Sequence, residues 1–400
     1  MTRVCILFHR FGPYHWARLN AAGRLLPALG LELSAETTEY GWDQVSGQST
    51  FGRVTLFPES DGRGVETNDL LRRVHSALDE YNPVAVAIPG WSDRAALAAL
   101  SWCLKTGTPA IVMSDSQASD RARTWAREAV KKRIVNMCSS GLVGGAPHAG
   151  YLAALGMPRD RIFAGYDVVD NDYFSAQSDA VRRDAAGWRA WLHLPEKYFL
   201  ACNRFIAKKN LAGLLRAYSV YRRRAGPAAW KLVLLGDGPL KPGLLAQIAQ
   251  LGLTADVLLP GFKQYDQLPA YYALAGAFVH ASVIEQWGLV VNEAMACRLP
   301  VLVSEGCGCV PDLVANGKNG FTFNPLDTMA LAQCLWRIAG GEYDLAALGG
   351  ASHKIIAQWS PETFAVNLKQ AAKTAVAIPR RARNKFNPVL INALLRLKNS

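Results

Sequence analysis

Short apolar, β-rich runs alternate along this chain with segments whose apolar residues recur every three or four positions, and that alternation predicts an α/β fold. Residues 4–8 are continuously apolar and predict a buried strand. Residues 17–29 predict a helix with Leu19, Ala22, Leu26 and Leu29 on one face. Residues 69–81 predict another, with Asp69 placed to cap it and Leu70, Val74, Ala77, Leu78 and Tyr81 turned inward. Strands are predicted at 84–88 and 110–113, around a helix near 95–104. This strand–helix–strand rhythm implies a parallel sheet with helices on both faces.

The rhythm then starts again. Residues 176–189 are charged and weakly periodic, which predicts a connection. Beyond it, 198–201, 231–235, 257–259, 277–280 and 300–304 predict strands, each followed by a loop or helix. The organisation expected is two doubly wound halves, residues 1–175 and 176–378, followed by a basic amphipathic tail at 379–400. Ser360-Pro361-Glu362 opens the last long helix, which is expected to return toward the first half: a capping serine, proline at the first helical position and an acid in the first turn. Ligands of such sheets bind at the carboxyl ends of the strands, so two facing halves would hold the site in the cleft between them.

Half of the 400 residues are hydrophobic, enough for two substantial cores, which excludes global disorder and a disulfide-stapled miniprotein. The 44 basic and 32 acidic residues leave a formal charge of +12 and point to anionic partners. That excess is local. From Thr363 to Ser400 there are eight basic residues and no acid, and between Arg121 and Arg133 six stand against Glu128 alone. No nucleic-acid motif or aromatic–basic platform accompanies either patch, so nucleic acid is not an expected partner. Both patches, 121–133 and 380–398, are candidates for an anionic membrane surface. In the first, Arg123, Arg127 and Lys131 form a stripe on a helix expected over 119–135. In the second, Phe386, Val389, Leu390, Ala393, Leu394 and Leu397 fall at helical spacing, and docking on the chain's own core is the equal alternative. No run approaches the roughly 18 apolar residues of a membrane span, and the first residues lack a signal-peptide pattern. The expectation is a cytoplasmic protein, peripheral at most on the inner face of the plasma membrane, with its eight scattered cysteines reduced. Cys307-Gly-Cys309 lacks a second pair at zinc spacing, so no metal is expected.

The stretch richest in chemistry runs from 280 to 324. A strand ends at His280, and a loop with Glu285 and Gly288 leads into a helix. Gly288 lets backbone N–H groups approach a ligand, and the helix N-terminus favours an anion such as a diphosphate. Glu293, about a turn inside that helix, can accept two hydroxyls, as a ribose would offer. Glu285 is placed to accept hydroxyls from whatever lies beyond the phosphates.

These residues resemble the retaining glycosyltransferases of family 4, the group 1 enzymes of GT-B fold. The hallmark of that family is two glutamates separated by seven residues within E-x-(F/W)-G-L…E-A-M-A…P-V. Glu285, Trp287-Gly288-Leu289, Glu293-Ala294-Met295-Ala296 and Pro300-Val301 all match. Upstream, Arg204 and Lys209 match the R-x4-K that grips the donor diphosphate, Gly236-Asp-Gly-Pro the G-x-G-P turn, and Pro260-Gly-Phe262 the segment near the nucleotide base. The N-terminal half is looser. Val168-Val-Asp170 through Phe174 fits the family's hinge, with valine for the usual glycine, and Gly12 stands where the family keeps a Gly-rich loop under the donor. His15, beside that loop, is a candidate to touch donor or acceptor. Where the family has P-x5-H, its histidine facing the donor sugar, the count from Pro109 gives Asp115. Gly306-Cys-Gly308-Cys309 stands where G-G is usual and keeps a tight phosphate loop.

The resemblance implies a GT-B fold of two Rossmann-like domains and a retaining, metal-independent transferase that uses a nucleotide-diphosphate sugar and no cofactor. Arg204 and Lys209 would neutralise the leaving diphosphate, aided by amides near Gly288 and Gly308. Glu293 would hold the ribose and Glu285 the donor sugar, with Asp115 a further catalytic candidate. Front-face attack, the leaving phosphate taking the acceptor proton, would explain retention. The acceptor implied is a glycan or lipid-linked sugar of envelope polysaccharide or glycolipid synthesis. A sugar-nucleotide epimerase or glycogen-synthase-like enzyme on the same fold is one alternative; a lipid- or nucleic-acid-binding protein on a degenerate scaffold is another. Asp170-Asn-Asp172 imitates a metal-binding D-x-D, but no GT-A pattern surrounds it. Lys208 is expected to face solvent beside Lys209, and His9 and His280 are expected to be structural.

Overall fold

The computed structural model describes residues 3–35, 41–62, 64–379 and 386–397. The chain divides into two compact units, Met1–Val168 with Ser360–Ser400, and Val169–Trp359. The first crossing falls inside the Val168-Val-Asp170 segment, a little before the boundary expected near 175. The helix opened by Ser360 belongs to the first unit.

The first unit holds a seven-stranded parallel sheet of β1 (Val4–Phe8), β2 (Ala28–Ser34), β3 (Gly52–Phe57), β4 (Ala85–Pro89), β5 (Ala110–Ser114), β6 (Ser140–Val143) and β7 (Ile162–Ala164). Its spatial order is β3-β2-β1-β4-β5-β6-β7. The second holds β8 (Tyr198–Cys202), β9 (Lys231–Leu235), β10 (Val257–Gly261), β11 (Ala277–His280), β12 (Val301–Ser304) and β13 (Gly320–Phe323), in the order β10-β9-β8-β11-β12-β13. Every paired strand is parallel. Each order reverses at one crevice, between β1 and β4 and between β8 and β11, where open α/β sheets take their ligands.

Several elements depart from the sequence reading for local reasons. The helix expected at 17–29 runs Pro13–Leu25. Pro27 stops it: Leu26 is already extended, and Leu29 pairs with Cys5 in the sheet. Asp69 lies inside the helix Thr67–Tyr81 and pairs with Arg73 at 3.2 Å instead of capping it. The expected connection at 176–189 is two helices, Asn171–Arg183 and Ala185–Leu192, started by Asp170 and Asp184 as side-chain caps. The helix expected from 119 begins at Trp125.

The two basic patches take specific shapes. Arg123 pairs with Glu128 at 2.6 Å and lies 4.1 Å above the Tyr151 ring. Lys131 reaches Glu128 at 3.0 Å and the Tyr151 hydroxyl at 2.9 Å. Two cations of the stripe are thus turned onto the first unit itself, while Trp125 is 86% exposed. The tail helix Phe386–Leu397 buries Ile391 and Leu395 in the core beside the helix Arg94–Thr106, and leaves Phe386, Val389 and Leu397 exposed. Arg380, Arg381, Arg383, Lys385 and Lys398 lie outside the described residues. No helix among the described residues is long and apolar enough to cross a membrane.

Glu32 in β2 sets the loop after β1. Its side chain is fully buried, one oxygen accepting from Arg53 (2.7 Å) and Thr55 (2.6 Å) and the other from the Phe11 N–H (2.7 Å). Removing one member of a buried ion pair strands the rest, so Glu32→Ala should lose about 3 kcal/mol of stability in urea denaturation. A loss below about 1 kcal/mol would contradict this role.

Candidate active site

The site of the second unit is built from loops after neighbouring strands. β8 and β11 pair directly, Phe278 beside Leu200, so their loops emerge side by side at the crevice. The Val283 N–H donates to the Lys208 carbonyl at 2.9 Å and ties these loops together. The loop after β12 joins on the other side: the Glu285 N–H donates to Gly306 and the Gly308 N–H to Glu285, each at 3.0 Å. Gly306 permits this closeness, since a Cβ there would lie 2.2 Å from the Val283 oxygen.

Glu285, 8% exposed, sits where the loops meet. Lys209 donates to its Oε2. His280 Nε2 lies 3.4 Å from the same oxygen, and the Ser282 hydroxyl donates to it at 3.4 Å. Lys208 Nζ stands 3.6 Å from Oε1. Burial by itself would raise the carboxyl's pKa, but His280, Lys209 and Lys208 outweigh it and hold it well below the usual carboxylate range. Glu285 is therefore ionised at neutral pH. Lys208 faces this carboxylate, contrary to the solvent-facing role expected, because the turn Ala207–Lys209 places both lysines beside it.

The other predicted residues fall into distinct places. Gly288 has φ +105°, and a Cβ there would stand 3.5 Å from Glu285 Cγ and 3.6 Å from His280 Nε2; the helix Leu289–Ala296 starts next to it. Leu289 opens that helix, half-buried. Trp287 is turned inward: its indole N–H donates to Asn292 at 2.9 Å and its ring packs on Trp359, so it fastens the loop instead of facing a ligand. The Gly308 N–H, expected at the diphosphate, is taken by the Glu285 carbonyl, and this glycine acts by placing Glu285. Glu293 is fully buried and accepts the Tyr272 hydroxyl through Oε2 at 2.6 Å. Arg204 is exposed in the loop after β8. Gly236 keeps that loop against the one after β9, since a Cβ at its φ of +122° would lie 1.8 Å from the Asn203 oxygen. Asn203 is buried there, and neither atom of its carboxamide has a hydrogen-bond partner among the described residues. Phe262 is exposed just after β10. Asp170 caps a helix through the Tyr173 N–H, and no cluster of three metal-ligating side chains occurs among the described residues.

In the first unit, Gly12 caps the helix Pro13–Leu25 and donates its N–H to His15 Nδ1 at 3.1 Å. Burial, with Arg18 and Arg10 nearby, pushes His15 down to about 3, so it is neutral and serves the turn. The same device recurs after β6: the Gly145 N–H donates to His148 Nδ1 at 3.1 Å. Asp115 follows β5, and burial raises its pKa while His148 nearby opposes the rise. The repeated spacing in Gly12-Pro-Tyr-His15 and Gly145-Ala-Pro-His148 is the signal that sequence reading passed over.

Because the Glu285 pKa is depressed on folding, its stabilisation is present above the ordinary carboxylate pKa and is lost as pH falls below it. Urea denaturation should show the wild type losing stability relative to Glu285→Gln below about pH 4.3, with a constant difference from pH 6 to 8. Parallel curves down to pH 3 would contradict the assignment.

Residues 190–340 match the family described as glycosyl transferases group 1. The chain is 28% identical over 211 residues to a GDP-mannose-dependent alpha-(1-6)-phosphatidylinositol monomannoside mannosyltransferase of Mycolicibacterium smegmatis, covering 50% of this chain and 53% of that protein. It is 29% identical over 200 residues to an amylovoran biosynthesis glycosyltransferase of Erwinia amylovora, covering 48% and 46%. The chain thus spans about half the length of these curated relatives. In fold it resembles Anabaena HepE, solved in complex with UDP, with a TM-score of 0.70 at 16% identity over 93% of this chain and 100% of that one. Its two parallel sheets have the GT-B fold, and residues 190–340 are similar to the glycosyl transferases group 1.

Proposed function

We propose that this protein transfers a sugar, with retention of configuration, from a nucleoside-diphosphate sugar to a glycan or lipid-linked acceptor in polysaccharide or glycolipid synthesis. The observation that carries this reading is the ionised Glu285, held by Lys209, Lys208 and His280 beside the N-terminus of the helix Leu289–Ala296. A fixed carboxylate suits the hydroxyls of a sugar, and cations with helix amides suit a diphosphate. The names of its relatives, a phosphatidylinositol mannoside mannosyltransferase and an amylovoran transferase, support the acceptor class.

In this account Arg204 and Lys209 neutralise the leaving diphosphate, the task a metal ion performs elsewhere, so neither metal nor cofactor is needed. The bond from the sugar's anomeric carbon to phosphate breaks as the bond to the acceptor oxygen forms on the same face. The acceptor proton passes to the departing phosphate, and no protein nucleophile is required. Asp115, with His148 near it, is the polar pair proposed to take the place of the family's histidine. Trp125 and the exposed face of Phe386–Leu397 are the surfaces proposed to meet an anionic membrane, at the inner face of the plasma membrane.

The test is a screen of UDP-, GDP-, ADP- and dTDP-sugars with lipid extract and anionic vesicles, read by nucleoside diphosphate release, product NMR and co-sedimentation. One donor should give a product of retained anomeric configuration, and Glu285→Ala should lower transfer at least about 100-fold with its circular dichroism unchanged. Full activity in that variant, or an inverted product, would sink the reading; protein left in the supernatant would sink the membrane part alone.

A further inference from the structure

We propose that His280 is a positioning residue for Glu285, holding its carboxylate through Nε2 in concert with Ser282; this rests on the role given to Glu285 above. His280 ends β11 and is fully buried. Its Nε2 lies 3.4 Å from Glu285 Oε2 and 3.1 Å from the Ser282 hydroxyl, which itself donates to Oε2. Its Nδ1 is buried and has no hydrogen-bond partner among the described residues. The ring lies nearly parallel to Phe278, with centroids 6.3 Å apart and 12° between planes.

A neutral imidazole carries one N–H, and the acceptor a nitrogen faces decides which one. Nε2 faces a carboxylate and Nδ1 faces no acceptor, so the proton belongs on Nε2. An imidazolium would leave a second N–H buried without an acceptor. Burial also pushes the His280 pKa below its ordinary value, with Lys209 and Lys208 adding to the effect and Glu285 opposing it.

The consequence is a division of labour within one carboxylate. Oε2 takes Lys209, His280 and Ser282. Oε1 faces Lys208 at 3.6 Å, a side chain 36% exposed. Gly288, at φ +105°, starts the next helix beside His280 Nε2. His280 thus selects which oxygen is anchored, without touching the substrate itself.

Two variants and one spectrum test this. His280→Leu fills the ring's volume without a donor; His280→Gln restores an N–H near the position of Nε2. The leucine variant should lower kcat about 100-fold while the Kd for nucleoside diphosphate stays within about twofold, and glutamine should recover at least about tenfold of the loss. Equal activity in the two variants would reduce His280 to packing and overturn the proposal. Nitrogen NMR of 15N-histidine protein at pH 7 should find His280 neutral with its proton on Nε2, and Glu285→Gln should shift that resonance. A proton on Nδ1, or an imidazolium, would overturn it as well. The NMR result stands whether or not a donor is found, so failure of the transferase reading and failure of this assignment can be told apart.

Discussion

Burying a carboxylate costs several kcal/mol unless cations and hydrogen-bond donors surround it, and the second unit is arranged so that Glu285 meets that condition. Three adjacent strand ends deliver the partners: Lys208 and Lys209 after β8, His280 and Ser282 from β11 and its loop, and the Gly306–Gly308 segment after β12. The parallel register of β8, β11 and β12 makes these loops neighbours. Backbone hydrogen bonds between the loops then hold the carboxylate, so its place depends on the sheet and not on the loops' own stability. The glycines follow from the same demand. Gly236 and Gly306 each stand where a side chain would push one strand-end loop off another, and Gly288 takes the left-handed backbone that starts the helix.

Electrostatics turns this packing into chemistry. A carboxylate held well below its usual pKa keeps its charge at neutral pH. Preorganised charge of this kind needs no rearrangement at the moment of reaction, which is where such sites derive most of their catalytic effect. In the first unit, the turn in which Gly12 donates to His15 recurs at Gly145 and His148.

Much of the fold was legible because parallel strands buried on both faces read as apolar runs, as at Val4–Phe8 and in Leu-Val-Leu-Leu of the strand Lys231–Leu235. What escaped was local or tertiary. Pro27 ended a helix that periodicity alone would have carried through Leu29. The pair of helices at Asn171–Arg183 and Ala185–Leu192 hid behind charge, although Asp170 and Asp184 announce them as caps. At the site, motif spacing pointed to Glu285, Lys209 and Gly288, which the fold gathers at one place. It did not show that Trp287 packs on Trp359 or that the Gly308 N–H binds the Glu285 carbonyl, because a motif marks a residue without giving its neighbours. Lys208 was expected to face solvent and His280 to be structural, since each looks ordinary alone; only the meeting of β8 and β11 brings them to one carboxylate.

We propose that the clasp around Glu285 is a prebuilt seat for a sugar diphosphate, and a crystal structure with bound nucleoside diphosphate tests this. Diphosphate oxygens should lie within hydrogen-bond reach of Arg204, Lys209 and the amides that follow Gly288, with Glu285 still anchored on His280 and Ser282. A nucleotide bound away from these residues, or a Glu285 carboxylate swung off His280 and Ser282, would contradict it.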